Sequence, residues 1–119
     1  MFYVIFEVVV NQEHMDEYLS LAAGLRESLM KNKGFIRAER FSSIVDNRKL
    51  LSLSVWESEE AISDWRNRAE HRLGQRQGRD SFFESYTITV TSPVRTYTDT
   101  DREEAPKDSN EAFGSETYK

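Results

Sequence analysis

"FYVIFEVVV", residues 2–10, is β-branched and aromatic on both of the faces that an extended chain presents, with Glu7 as its one charge. A strand that alternates apolar and polar residues keeps one side in water, whereas a strand apolar on both sides needs cover on both. The stretch therefore reads as the central strand of a sheet with two buried faces. It is too short to span a bilayer, it lacks a basic leader, and Glu7 interrupts it. The expectation is neither a signal peptide nor an anchor, hence a cytoplasmic protein with no membrane partner.

Reading outward, Met15, Tyr18, Leu19, Ala22, Leu25 and Leu29 recur at three- and four-residue steps and describe an amphipathic helix over 13–29. "KNKG" closes it with Gly34 as the cap. "FIRAERF" alternates, "VDNRK" supplies turn residues, and "LLSLSVW" sets Leu51, Leu53 and Val55 against Ser52 and Ser54, which together make a hairpin. Ser58 followed by Glu59 and Glu60 suits a helix start, and this second helix should run to about Gly78. Last, "SFFESYTITVTSPVR" places Phe82, Tyr86, Ile88 and Val90 on one side of a strand that Pro93 bends or frees from pairing.

The order is βαββαβ, so the expected fold is α+β and ferredoxin-like: a four-stranded antiparallel sheet with two helices on one face. The second face of the sheet still needs cover, and with no further helix available a second copy of the sheet supplies it. The expectation is a homodimer.

The chain has 119 residues and suits one domain. From Thr98 the pattern fails: residues 98–119 hold seven acidic and three basic residues and almost no apolar periodicity, which reads as an acidic, flexible tail. Residues 1–97, with fourteen acidic and thirteen basic residues, form the folded domain. The absence of cysteine excludes disulfides, thiolate metal sites and a cysteine nucleophile. A net charge of −5 opposes general attraction to phosphate backbones. An RNA-recognition module shares the βαββαβ order, but its third strand needs a basic–Gly–aromatic–Gly–aromatic run, and "RKLLSLSVW" has no glycine. No nucleic-acid partner is expected. Phosphate loops, nucleophile elbows and metal-spaced histidine pairs are also missing from the sequence.

Residues 55–86, "VWESEEAISDWRNRAEHRLGQRQGRDSFFESY", carry "VWES" at the end of the third strand and a histidine, His71, fifteen residues after Trp56. "GF" at Gly34 and Phe35 opens the second strand. In this order the features resemble the antibiotic biosynthesis monooxygenase superfamily of dimeric α/β barrels, over most of residues 1–97. The resemblance implies a cofactor-independent monooxygenase that binds an aromatic or quinol-like molecule between sheet and helices. It would promote the substrate's deprotonation and let the carbanion reduce dioxygen directly, with no metal and no organic cofactor. The same fold also serves non-catalytic dimers that bind a small apolar ligand, and that is the alternative reading. Haem degradation is a weaker third: Trp65 stands nine residues after Trp56 as in that branch, but Gln75 occupies the place of its ligating histidine and Glu7 that of its first-strand asparagine.

Five residues are candidates for such a site. Trp65 shares a helical stripe with Ile62, Ala69 and Leu73, which fits both a core residue and the wall of a pocket. His71 is the candidate base, because imidazole titrates near neutral pH. On an unbroken helix, however, it turns almost opposite that stripe, so a pocket role needs a break near Asn67–Glu70. Glu7, a carboxylate among apolar neighbours, is the second candidate base, or else the partner of Arg37 or Arg40 in an ion pair. Arg68, Arg72, Arg76 and Arg79 form a stripe with Arg66 on its flank. Either it is a solvated face, or Arg72 or Arg76 stabilises a substrate oxyanion at a pocket rim.

Overall fold

The doubly apolar stretch becomes β1 (Phe2–Val10), which is hydrogen-bonded on both sides, to β3 (Lys49–Trp56) and to β4 (Phe83–Thr91). β2 (Phe35–Ser42) pairs with the far side of β3 and completes an antiparallel sheet in the order β2-β3-β1-β4. Helix α1 (Met15–Met30) joins β1 to β2, and α2 (Glu59–Gly74) joins β3 to β4. This is the expected ferredoxin-like α+β arrangement. The structure, a computed structural model, describes residues 1–74 and 82–117, with side chains over 1–69 and 82–112.

Register decides which residues meet the helices. Phe2, Val4, Phe6 and Val8 of β1 stand opposite Trp56, Ser54, Ser52 and Leu50 of β3, while Val4, Phe6 and Val8 stand opposite Val90, Ile88 and Tyr86 of β4. Side chains alternate along a strand, and directly paired residues share a face. Val8, Val10 and Leu50 pack with Tyr18 and Met15 of the first helical segment, so this even-numbered face of β1 is the one under the helices. Tyr3, Ile5, Glu7 and Val9 point the other way, together with Leu51, Leu53 and Val55. On that second face Ile5, Leu51 and Leu53 are only half-buried, and Phe41 is exposed. Val55, at one end of this face, is 1% exposed, so the apolar surface left open lies toward its middle.

Local chemistry fixes the helix ends. Ser58 Oγ accepts the Ala61 amide at 3.1 Å, which caps α2 as the sequence implies. After α1, Gly34 takes φ +86°, and a Cβ there would lie 2.7 Å from Ala61 Cβ. Glycine therefore permits both the left-handed turn and the close approach of α2. A single 3-10 turn (Gln12–His14) precedes α1. Only Tyr18 of α1 is fully buried. Leu19, placed on the apolar stripe by the sequence reading, is 37% exposed, because it lies 100° round the helix from Tyr18.

In the β2–β3 turn, Arg48 donates to Asp46 and reaches Glu84 at 3.2 Å, tying the turn to the start of β4. The hydrogen bonds from Arg48 hold the Asp46 carboxyl below the ordinary carboxylate range. Exposed pairs of this kind add little stability.

β4 stops at Thr91, two residues before Pro93. The chain then leaves the sheet as an arm. The segment from Thr98, expected to be an acidic, flexible tail, includes a helix, α3 (Lys107–Thr117). Arg102 organises it: the guanidinium lies 5.1 Å from the Tyr97 ring centroid and donates to Thr98 O, Ser109 Oγ and Asn110 Oδ1. Among the described residues no strand or helix of the domain packs along α3. The radius of gyration is 17.8 Å, against about 13–14 Å for a chain of this length packed as one sphere.

Candidate functional site

The helix-facing side of the sheet is packed densely at two ends. At one end, Val8, Val10, Tyr18 and Leu50 close up with Phe83. At the other, Trp56 is 1% exposed and meets Phe35 edge-to-face at 5.4 Å, beside the buried Ala61 and Asn32. Between these ends Val4, Phe6, Ser52 and Ser54 are only partly buried, and at the β4 edge Ile88 and Val90 are 52% and 47% exposed. Leu25 of α1 and Ile62, Trp65 and Ala69 of α2 are likewise only partly buried. This incompletely covered apolar strip, open along β4, is the candidate hollow for a guest.

Serines create it. At Ser52 and Ser54 the central strand offers two small side chains where a leucine or valine would fill the space beneath the helices. Ser54 Oγ accepts Trp56 Nε1 at 2.8 Å. The Ser52 hydroxyl forms no hydrogen bond among the described residues. The floor is therefore greasy with one spare hydroxyl, a surface suited to a small organic guest.

The two helices are tied together at one end of this space. Arg68 of α2 donates to Ser28 Oγ at 3.3 Å and to Asn32 Oδ1, and its guanidinium lies 5.6 Å from the centroid of the Trp65 ring. Asn32, just beyond α1, is 8% exposed and donates to Ala61 O at 3.4 Å and Lys33 O at 3.0 Å. A buried amide with its hydrogen bonds made is stable, but it becomes costly once a partner is lost. Arg68 thus straps the helices as well as flanking Trp65.

Tyr18 and Arg40 add polarity near the dense end. Arg40 lies 5.9 Å from the Tyr18 ring centroid. Burial pushes the Tyr18 phenol above its usual pKa, and the charge and hydrogen bond of Arg40 offset this only in part. At neutral pH Tyr18 is a protonated donor.

The sequence candidates are not all brought together. Trp65 lies on the partly buried stripe of α2 with Ile62 and Ala69. Glu7 lies on the opposite face of the sheet, between Leu51 and Thr87, and so is separated from the hollow by the sheet itself. The ion pair expected for it with Arg37 or Arg40 does not occur. Arg40 faces the helices, and Arg37 stands opposite Val55, at the far end of β3 from Glu7's partner Leu51. Position 71 falls in the last turns of α2, which is continuous through Asn67–Glu70, so the break that would re-aim it is absent. The side chains of His71 and Arg72, and Arg76 entirely, lie outside the described residues. Among the described residues no cluster of His, Asp and Glu could hold a metal ion.

Ser52 and Ser54 as a floor, Asn32 as a strap and Arg40 as a group facing the helices are not among the sequence expectations. For the serines a signal existed: Trp56 has the same parity, and a bulky aromatic at a strand end belongs to the core side.

The family model described as antibiotic biosynthesis monooxygenase matches residues 1–77. The chain is 39% identical over 98 residues to jasmonate monooxygenase ABM of Pyricularia oryzae, covering 80% of this chain but only 46% of that protein, so it spans about half the length of this relative. It is 28% identical over 94 residues to the uncharacterized protein YqjZ of Bacillus subtilis, covering 79% and 81% of the two chains. Among solved structures, Rv0793 of Mycobacterium tuberculosis superposes with a TM-score of 0.67 at 16% identity, covering 82% of this chain and 98% of the other. At that identity the likeness establishes the fold.

Proposed function

The chain belongs to the antibiotic biosynthesis monooxygenase family, and from that premise we propose that it is a monooxygenase taking a small, largely apolar organic molecule into the hollow between sheet and helices. The observation that carries this reading is the partly buried floor at Val4, Ser52 and Ser54, beside Phe6, which packs against one of the two dense ends.

The reaction suited to such a site needs no metal or organic cofactor. A base takes a proton from an aromatic or quinol-like substrate, and the resulting anion passes electrons to dioxygen. One oxygen atom stays on the substrate and the other leaves as water, so the substrate is the reductant. Trp65 serves as a wall and Arg72 or Arg76 as the group that stabilises the substrate oxyanion. For His71 to serve as the base, the last turns of α2 must open when substrate binds, because the continuous helix turns position 71 away from the Trp65 stripe. Glu7 takes no part, because it faces away. The name of the 39% identical relative adds jasmonate to the substrates worth testing.

Oxygen uptake with a panel of dihydroxynaphthalenes, hydroquinones and jasmonate tests this reading. Uptake with at least one member is expected, falling at least tenfold in His71→Ala and measurably in Trp65→Phe. If every member binds without uptake, the second reading holds: a non-catalytic small-ligand binder of the same fold. The unbroken course of α2 through Asn67–Glu70 favours that rival.

The protein works as a homodimer in this reading. The second face of the sheet carries Tyr3, Ile5, Leu51, Leu53 and the exposed Phe41, and a second copy of the same face is its natural cover. Sedimentation equilibrium at micromolar concentration should give twice the chain mass, and Leu53→Lys should give the single mass. A wild-type monomer would sink the dimer.

A further inference from the structure

On the helix-facing side of the sheet, one cross-strand row runs Arg40, Ser52, Phe6, Ile88, one residue from each strand in the order β2-β3-β1-β4. The row begins with a cation, continues with a hydroxyl, and ends with an aromatic ring and a half-exposed aliphatic side chain. Strands lie about 4.8 Å apart, so it spans about 14 Å.

Two polar side chains neighbour Arg40 at its β2 end: Ser52 across the strand pairing, and Tyr18, whose ring centroid lies 5.9 Å from the guanidinium. The Arg40 guanidinium has no carboxylate partner among the described residues. Tyr18, which lies under it, is buried and keeps its proton. Ser52 stands directly across from Arg40, its hydroxyl unclaimed among the described residues. A planar guanidinium offers two parallel N–H groups that fit the two oxygens of a carboxylate.

We propose that Arg40, Tyr18 and Ser52 form an anion subsite at the β2 end of the hollow, so that the molecule it accepts carries a carboxylate at one end and an apolar body across Phe6 toward Ile88. The inference rests on reading the hollow as the binding site and adds the chemical class of its ligand. Arg40 and Tyr18 fix orientation in it: with the head held at β2, the body of the guest extends beneath the helices toward the open β4 edge. A simple solvated arginine on a strand would show no preference between a carboxylate and its ester.

Two matched pairs of probes test it by isothermal titration of the full chain: jasmonate with methyl jasmonate, and 2-naphthoate with methyl 2-naphthoate. Within each pair only the head group differs: an anionic carboxylate against a neutral methyl ester that is one methyl group larger. Wild-type protein should bind the acid of at least one pair tenfold or more tightly than its ester, the range expected for hydrogen bonds to a charged group. Arg40→Gln should lower acid affinity to the level of the ester, with ester affinity changed less than twofold. Arg40→Lys should recover part of the preference, and Tyr18→Phe and Ser52→Ala should each lose part of it. Equal binding of acid and ester by the wild type, or a preference that survives Arg40→Gln, overturns the subsite and leaves the hollow intact. If no member of either pair binds, the hollow is not the binding site, and both readings fall together.

Discussion

Trp56→Ala is expected to destabilise the domain by about 3–5 kcal/mol, the usual cost of deleting a large aromatic from a core. A small domain commonly has only about 5–15 kcal/mol in total. Three contributions combine at this residue. Its ring is 1% exposed, it meets Phe35 edge-to-face at 5.4 Å, and its indole N–H is satisfied by Ser54 at 2.8 Å. Truncation opens a void beside Phe35 and strips Ser54 of its indole donor. Trp56→Phe, which keeps most of the volume and removes the hydrogen bond, should cost clearly less. Guanidinium unfolding with fixed slope measures both. A loss below about 1 kcal/mol for Trp56→Ala would mean that the Trp56 end of the core is far looser than its packing indicates.

Gly34→Ala is expected to cost about 2–5 kcal/mol, with a sign opposite to the usual one. Where the backbone permits, replacing glycine by alanine stabilises by about 0.4–1 kcal/mol through the unfolded chain. Here φ is +86° and the new methyl group would lie 2.7 Å from Ala61 Cβ, a contact that forces α2 away from the β2 entry. The left-handed conformation costs about 1–2 kcal/mol and overpacking typically 1–3. A double-mutant cycle separates them. Ala61→Gly should relieve the steric part in the Gly34→Ala background and leave the conformational part, giving a coupling energy of 1 kcal/mol or more. Additive effects would show that the helix simply shifts.

The fold was legible because its signals are local and redundant. Residues 2–10 could only be a central strand, Gly34 and Ser58 marked helix ends, and Asp46 to Lys49 marked the turn. The candidate site was less legible, because a site depends on which parity of each strand meets the helices. Alternation in "LLSLSVW" says that leucines and serines part company, but not which of them faces water, and here the serines lie under the helices. The same ambiguity put Glu7 among candidates for a space it does not face. It also hid Arg40, whose significance comes from Ser52 across the β2–β3 pairing rather than from any neighbour in sequence. Asn32 carries no motif, and its strapping role exists only because α2 packs back over the end of α1.

The arm after β4 also changes how the molecule presents itself electrically. Seven acidic and three basic residues from Thr98 onward hold most of the net charge of −5, while the preceding residues nearly balance. These acids sit together at one end of the sequence, and physiological salt screens a charge over roughly 8 Å. The attraction this protein exerts on positively charged surfaces therefore resides mainly in the arm and weakens as salt is added.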